Sequence, residues 1–276
     1  MPSPPHISWF VDTGEVLQTD DGSEVKVLEF QHQEDAHMLR AWALHFRKHY
    51  CLDEEIDELR EGTGLTRAQY LLANIFPHKT EGFGPSVRSG DFAEILVADY
   101  LQFLQNWIVP RTRYRIKSSP NESAKGTDIL GFQLASPAEF ARGVHSPNDT
   151  LLCVEVKAQF AGTSVTPPLQ KAINDSAKDK YRKGLSLNAM RQRLRMVQDF
   201  DGVRVVQRFQ NATDRPYLSQ SAAAAFYCDS IFDAQIVSAA SKTSHPESTT
   251  LLLLVFKGKD MMKLVHRLYE VAANAA

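Results

Sequence analysis

Two opposite charges lie two residues apart inside an apolar segment of the chain. Glu155 and Lys157 interrupt residues 151–158, which otherwise have the composition of a buried strand. Successive side chains of a strand alternate between its faces, so Glu155 and Lys157 are expected to point the same way. A second apolar strand begins at Asp128, after a glycine turn. Two carboxylates and an ammonium group at one end of a sheet suit metal-dependent cleavage of a phosphodiester.

A third carboxylate is expected to turn towards the same place. Glu94 belongs to a helix predicted to begin at Ser89, and its neighbours at i+3, i+4 and i+7 are Val97, Ala98 and Leu101. A buried glutamate is costly unless it is paired or binds a cation, so Glu94 needs a partner. A metal ion is one partner, and a salt bridge to a nearby arginine is the alternative.

The chemistry assigns a role to each of these residues. Asp128 and Glu155 are the expected ligands of Mg²⁺, with Mn²⁺ as the alternative ion, because hard cations prefer oxygen. The carbonyl of Val156 would complete the coordination, and Glu94 would support this metal or a second ion. Lys157 would orient the attacking water and help to lower the pKa of that water. A neighbouring cation and partial burial disfavour the charge of a lysine, which would move Lys157 towards a useful base. The alternative for Glu155 and Lys157 is an ordinary ion pair at the end of a sheet.

The surrounding pattern predicts an α/β protein in which helices flank a mixed β-sheet. After the helix from Ser89, the order is a strand near residues 114–116 and then the strands that carry Asp128 and Glu155. The later elements are predicted in the order helix, helix, strand, helix, strand and helix, at residues 167–183, 186–200, 222–228, 232–240, 251–256 and 260–273.

Residues 1–84 are expected to form a mostly helical, acidic extension, and residues 85–276 to form the core that contains the site. The extension contains one short strand, and its helices are predicted to begin at Asp35, Asp53 and Thr66, which are residue types that cap helices. We expect this extension to act mainly as a contact surface for another protein.

The net charge of −2 hides an uneven distribution. Residues 1–80 contain 14 acids against 7 Lys or Arg, whereas residues 171–208 contain 10 Lys or Arg against 4 acids. The basic segment predicts contacts with DNA phosphates, and the alternatives are a solvated face or an acidic protein partner. No base-reading motif is present, so we expect little sequence preference. The candidate DNA-binding residues are Lys178, Lys180, Arg182, Lys183, Arg191 and Arg195.

The composition is that of an ordinary soluble protein. The chain of 276 residues is 43% hydrophobic, which supports a filled core. Its longest apolar stretch, residues 251–256, is far shorter than the ~20 residues of a membrane helix. Residues 1–5 lack the features of a signal peptide, so a cytoplasmic location without membrane contact is expected. Cys51, Cys153 and Cys228 have no paired spacing and are expected to be buried thiols.

Other catalytic classes lack their motifs. The chain has neither a Gly-x-Ser-x-Gly elbow nor a phosphate-binding glycine loop, so a serine hydrolase or an NTPase is not expected. His45 and His49 have the i, i+4 spacing of two ligands on one helix face, but no Glu-x-x-His motif accompanies them. We interpret these two, with His32 and His37, as surface or packing residues.

Glu94, Asp128 and the triplet Glu155-Val156-Lys157 together resemble the signature of the PD-(D/E)xK nuclease superfamily, whose fold is restriction-endonuclease-like. The proline of that signature is absent before Asp128, where Gly126-Thr127 stands instead. The resemblance implies a restriction-endonuclease-like core and metal-dependent cleavage of DNA.

Over residues 85–275 the sequence also resembles the HamA family, the nuclease subunits of Hachiman antiphage defence systems. The stretches that carry this similarity begin at Ser89, Lys125 and Ser186 and read SGDFAE, KGTDI and SLNAMR. The resemblance implies a stable complex with a helicase, HamB, and DNA degradation that starts when the helicase senses foreign or damaged DNA. The alternative is a subunit that keeps the nuclease fold without catalysis and binds DNA or a helicase.

Overall fold

A computed structural model describes residues 3–276. Met1 and Pro2, which begin the segment expected to lack a signal peptide, lie outside the described residues. The strands are β1 (Phe10–Val11), β2 (Val16–Gln18), β3 (Glu24–Phe30), β4 (Ile129–Gln133), β5 (Thr150–Gln159), β6 (Leu218–Cys228) and β7 (Leu252–Gly258). The α-helices are α1 (Ala36–Arg47), α2 (Ile56–Arg60), α3 (Arg67–Tyr70), α4 (Gly84–Asp99), α5 (Pro137–Ala141), α6 (Pro168–Ser176), α7 (Asp179–Met196), α8 (Phe200–Arg208), α9 (Ala234–Ser238) and α10 (Met261–Asn274).

The strands form one mixed sheet in the order β1-β3-β7-β6-β5-β4, and β2 also pairs with β3. The four central strands, β3, β7, β6 and β5, are parallel to one another. The outer strands β1, β2 and β4 are antiparallel to their neighbours. The expected α/β fold, a mixed sheet flanked by helices, is confirmed.

Helices cover both faces of the sheet, as parallel strands require. Helices α1, α4 and α10 form a core with one face, which contains Trp42, Phe92 and Phe226. Helix α6 covers part of the opposite face, and α7 and α8 cover the part beneath β4 and β5. Strand β6 presents only alanine at positions 222–225, which lets the helices on both faces approach it closely.

The N-terminal segment joins the same sheet and the same core. The strand expected in the extension is β3, and it pairs in parallel with β7 from Val25 opposite Leu253 to Phe30 opposite Gly258. Trp42 on α1 is fully buried, and α1 packs on α10 near the end of the chain. The division of the chain after residue 84 stays a prediction. The segments before and after it contribute paired strands to one sheet and side chains to one hydrophobic core.

The strand expected at residues 114–116 is wrong. Tyr114–Ile116 forms a 3-10 turn, and the bridge of this region to the sheet lies earlier, between Ile108 and Phe132. Pro110 follows the bridge and has no N–H with which to extend the ladder.

Two of the three predicted helix caps are confirmed. The Asp35 side chain accepts from the first amides of α1, and Thr66 forms a capping box with Gln69 at α3. Asp53 does not cap α2, because its carboxylate accepts hydrogen bonds from the buried guanidinium of Arg47.

The basic helices divide differently from the prediction. The helix expected over residues 167–183 ends at Ser176, and α7 begins at Asp179 and runs to Met196. This early start turns Asp179 inward, where it is almost fully buried. All three cysteines are buried free thiols, as expected. No helix within residues 3–276 is long and apolar enough to cross a membrane.

Removal of residues 1–84 is expected to prevent the remainder from folding. The truncation uncovers β7 and deletes several fully buried side chains, each of which contributes about 1.5–3 kcal/mol. Their sum is comparable to a whole domain's stability of about 5–15 kcal/mol. Circular dichroism of residues 85–276 should therefore show no cooperative thermal transition, in contrast to the full chain. A cooperative transition in the shortened chain would show that the core folds alone.

Candidate active site

The pairing of β4 with β5 brings Asp128 next to the Glu155-Val156-Lys157 triplet. Asp128 directly precedes β4, whose first residue, Ile129, lies opposite Val154 of β5. The backbone N–H of Val156 donates to Asp128 Oδ2 over 2.9 Å. This contact uses the amide of Val156, so coordination by its carbonyl stays a prediction.

Glu155 and Lys157 point to the same face of β5, while Val154 and Val156 enter the core on the other face. Lys157 Nζ donates to Glu155 Oε1 over 2.5 Å and lies 3.2 Å from Asp175 Oδ2. The ion pair considered as the alternative is therefore present, although it belongs to a larger group of charges.

Arg182 of α7 neutralises the second oxygen of Glu155. Its Nη2 donates to Glu155 Oε2 over 2.6 Å, and its Nε donates to Asp179 Oδ1 over 2.6 Å. The side chain of Glu155 is 5% exposed, so this pairing takes place largely out of water. Arg182 was predicted to contact DNA, and the structure places it against the candidate site.

Arg113 lies between the other two carboxylates. Its Nη2 donates to Asp128 Oδ1 over 2.8 Å, and its Nε lies 3.2 Å from Glu94 Oε2. The hydroxyl of Tyr114 donates to the same Glu94 oxygen over 2.7 Å. The arginine salt bridge considered for Glu94 is thus present, and it links Glu94 to Asp128.

The three predicted carboxylates do not form one compact ligand set. Within residues 3–276, the group of three possible ligand atoms that all lie within 4.8 Å of one another is His6, His45 and Asp99. Glu94 is joined to Asp128 through the Arg113 guanidinium, whereas Glu155 is neutralised from the other side by Arg182. Asp128 therefore shares Arg113 with Glu94 and reaches β5 through the Val156 amide, while Glu155 is held by Arg182.

Burial controls the protonation of the glutamates. It raises the pKa of Glu94 to about 8, and Asp128 acts in the same direction while Arg113 opposes it. Burial and then the charge of Asp128 raise the pKa of Glu155 to about 7.

Burial and the neighbouring carboxylates act on the pKa of Lys157 in opposite directions. Burial acts to lower its pKa, as predicted, but the carboxylates of Asp128, Glu155 and Asp175 outweigh burial and raise that pKa. These carboxylates favour the ammonium form of Lys157, and the lowering of its pKa expected beside a metal cation stays a prediction.

Helix α7 fixes the loop that carries Asp128. Ser186 Oγ accepts from the Thr127 amide over 3.1 Å, and Thr127 Oγ1 donates to Asp179 Oδ1 over 2.7 Å. Gly126 has a φ of +103°, and a Cβ there would lie 3.1 Å from Ser186 Oγ. A glycine is therefore required where the loop meets the helix.

A protein-family model for HamA matches residues 5–272. The match includes the N-terminal strand and α1 as well as the segment around the site. The chain belongs to the HamA family. Membership in HamA suggests a nuclease-like component of a Hachiman antiphage defence system. A comparison with curated proteins gave no match.

The remaining basic residues of this HamA chain lie along α7 and just before it. Lys180 and Arg195 are exposed. Lys178 pairs with an aspartate in α6, while Lys183 and Arg191 donate to uncharged side chains. Lys180 and Arg195 are therefore the basic residues of this set that are best placed to meet a ligand in solution.

Arg113 and Tyr114 were missed as site residues. The available signal was the run of alternating arginines at positions 111, 113 and 115, which lies where a strand was predicted. Both residues line a small cavity between α4, β4 and α7, together with Glu94, Asp128 and Arg193.

Glu94→Gln is expected to flatten the pH dependence of stability. In the wild type, the folded state keeps a proton on Glu94 up to about pH 8, whereas the unfolded chain releases it near the ordinary pKa of 4.5. The free energy of unfolding should therefore fall as the pH rises between these values, by on the order of a few kcal/mol. Glutamine still accepts from Tyr114 but has no proton to release, so urea unfolding between about pH 5 and 8 should show a smaller fall.

Glu139→Gln is the matched control, because Glu139 is exposed on α5. It should keep the wild-type slope. Equal slopes in Glu94→Gln and the wild type would contradict the protonation of Glu94 in the folded protein.

Proposed function

We propose that this chain is a Mg²⁺-dependent deoxyribonuclease of the PD-(D/E)xK type and the effector subunit of an antiphage defence complex. The observation that carries the proposal is the contact between Asp128 and the Val156 amide, which puts Asp128 beside Glu155 and Lys157. Membership in the HamA family supports the same assignment.

Asp128 and Glu155 are the residues that would hold Mg²⁺, or Mn²⁺ in its place. The bound ion would polarise the scissile phosphate and lower the pKa of a water. Carboxylate oxygens at the ends of two paired strands fit such a hard cation. The Val156 carbonyl and Glu94 would serve as further oxygens, Glu94 for this ion or for a second one.

Lys157 would orient the attacking water and the phosphate as an ammonium group. Its Nζ lies against Glu155 Oε1, so it remains next to the proposed metal ligands. The surrounding carboxylates raise its pKa, which favours a role as a hydrogen-bond donor.

DNA would approach along the exposed face of α7. Lys180 and Arg195 carry free positive charge there, and contacts with phosphates do not depend on sequence. A helicase subunit of the HamB type would supply recognition of the target and control over cleavage, since HamA membership implies partnership within a Hachiman system.

One observation favours a second candidate, a non-catalytic subunit that binds DNA or a helicase. Arg113 already pairs with Asp128 and Arg182 with Glu155, so the charges of the two proposed metal ligands are balanced within the chain. A subunit that keeps the nuclease fold but has lost catalysis would be expected to pair its carboxylates with arginines in this way.

Substitution of either proposed ligand is expected to abolish metal-dependent cleavage. Asp128→Asn and Glu155→Gln should each lower the rate of cleavage at least about 100-fold. Mutation of a residue that only hydrogen-bonds to a metal ligand already costs about 10–100-fold in activity, and loss of the ligand itself should cost more. Linear and circular DNA should be incubated with the protein, alone and with its helicase, with Mg²⁺ or with a chelator. Glu61→Gln is the control, because Glu61 is exposed and distant in sequence from Asp128 and Glu155; this variant should cleave like the wild type.

The outcomes separate the two candidates. Cleavage that survives Glu155→Gln would contradict the site assignment. A wild-type complex that binds DNA but never cleaves it, with any of these ions, would support the non-catalytic subunit.

Lys180→Ala combined with Arg195→Ala is expected to weaken DNA binding without changing the unfolding temperature. Each lost phosphate contact should reduce the slope of log affinity against log salt by about 1. Fluorescence anisotropy across a salt series measures both quantities. Lys263→Ala, which removes an exposed charge from α10 on the opposite side of the sheet, should keep the wild-type slope. An unchanged slope in the double variant would place the DNA elsewhere.

A further inference from the structure

A second cluster of ligand-type side chains lies at the other end of α4. It combines His6 from the 3-10 turn at Pro5–Trp9, His45 from α1, and Asp99, the last residue of α4. His6 Nε2 lies 2.9 Å from Asp99 Oδ2, and His45 Nε2 lies 3.1 Å and 3.2 Å from the two Asp99 oxygens. Three segments that are distant in sequence thus direct their ligand atoms to one point.

The distances from the two histidine nitrogens to Asp99, 2.9–3.2 Å, are close to the edge of a metal tetrahedron. Bonds of about 2.0–2.1 Å from Zn²⁺ to nitrogen or oxygen place neighbouring ligand atoms about 3.3 Å apart. The atoms of His6, His45 and Asp99 all lie within 4.8 Å of one another. His49 Nε2 lies 3.3 Å from His45 Nε2, so His49 is a candidate for the fourth ligand.

Hydrogen bonding alone does not account well for His45. An imidazole Nε2 has either one proton or one lone pair. Three atoms nevertheless lie within 3.3 Å of His45 Nε2, namely both Asp99 oxygens and His49 Nε2. A proton on His45 can satisfy only part of this set, whereas a cation could bind His45 Nε2, Asp99 Oδ2 and His49 Nε2 while Asp99 Oδ1 accepts from Arg111.

The surroundings resemble the outer partners of a metal site. Arg111 Nη2 donates to Asp99 Oδ1 over 2.8 Å, and Arg111 also donates to Gln102. Oδ2 of Asp99 then remains for a metal, as is usual for ligating carboxylates that are themselves hydrogen-bonded. The side chains of His6 and Asp99 are fully buried, while that of His45 is 24% exposed and gives an ion access from solvent.

We propose that His6, His45 and Asp99 bind a Zn²⁺ ion, with His49 or a water molecule as the fourth ligand. Two imidazoles and one carboxylate are a ligand set that Zn²⁺ accepts readily. The site replaces the interpretation of His45 and His49 as surface or packing residues. It does not rest on the proposed nuclease function, because its residues are separate from Asp128 and Glu155.

Bound zinc would clamp the N-terminal turn and α1 to the C-terminal end of α4. Glu94 lies five residues before Asp99 on that helix, so the clamp would also fix the helix that carries Glu94. We expect Zn²⁺ to raise the unfolding temperature of the wild-type chain by several degrees, because a ligand that binds only the folded state stabilises it.

Cobalt substitution tests the site directly. The full chain, stripped of metal, should bind about one equivalent of Co²⁺ and develop the intense visible bands of a tetrahedral nitrogen-containing site. Added Zn²⁺ should abolish these bands. His45→Gln and Asp99→Asn should each lose the bands and at least about 100-fold in Zn²⁺ affinity, measured against a chromophoric chelator.

Two control variants separate this site from other metal-binding groups. His37→Gln, on the exposed face of the same helix, should keep the bands. Asp128→Asn with Glu155→Gln should also keep them, since these carboxylates belong to the candidate active site. The absence of tetrahedral bands in the wild-type chain would overturn the proposal. This outcome does not depend on whether the ligand variants fold. Bands that persist in a folded His45→Gln variant would overturn it as well.

Discussion

The burial of carboxylates beside guanidinium groups organises the centre of this protein. Glu94 and Asp128 come from a helix and from the start of a strand, and Arg113 holds both. An unpaired buried carboxylate costs several kcal/mol, so Asp128 needs the guanidinium beside it, whereas burial raises the pKa of Glu94 to about 8 and keeps that group protonated at neutral pH. The planar guanidinium contacts both carboxylates from fixed directions and donates to two backbone carbonyls, which determines how α4 approaches β4.

Local patterns predicted the elements that carry the site, and tertiary contacts determined the rest. The alternation in residues 151–158 predicted that Glu155 and Lys157 point the same way. The strand expected near the N-terminus is also present, as β3. The partners of these residues were not predictable in the same way. Arg113 meets Asp128 across a turn that looked like a strand, and His6 meets Asp99 across 93 residues of chain.

The pKa of Lys157 shows a different limit of sequence reasoning. Burial and a neighbouring charge were both anticipated, but the sign of the net effect depends on how many carboxylates surround the ammonium group. Asp175 reaches it from α6, which no spacing along the chain indicates. The same limit applies to the N-terminal segment, whose acidic composition gave no sign that its strand would pair with β7.

Helix α7 contacts the supports of both acidic residues of the candidate site. Its inner side fastens the Thr127 loop through Asp179 and Ser186, and Arg182 on the same helix holds Glu155. Lys180 faces solvent within one turn of Asp179 and Arg182. Because one helix contacts both the Thr127 loop and Glu155, any displacement of α7 would change the supports of Asp128 and Glu155 together.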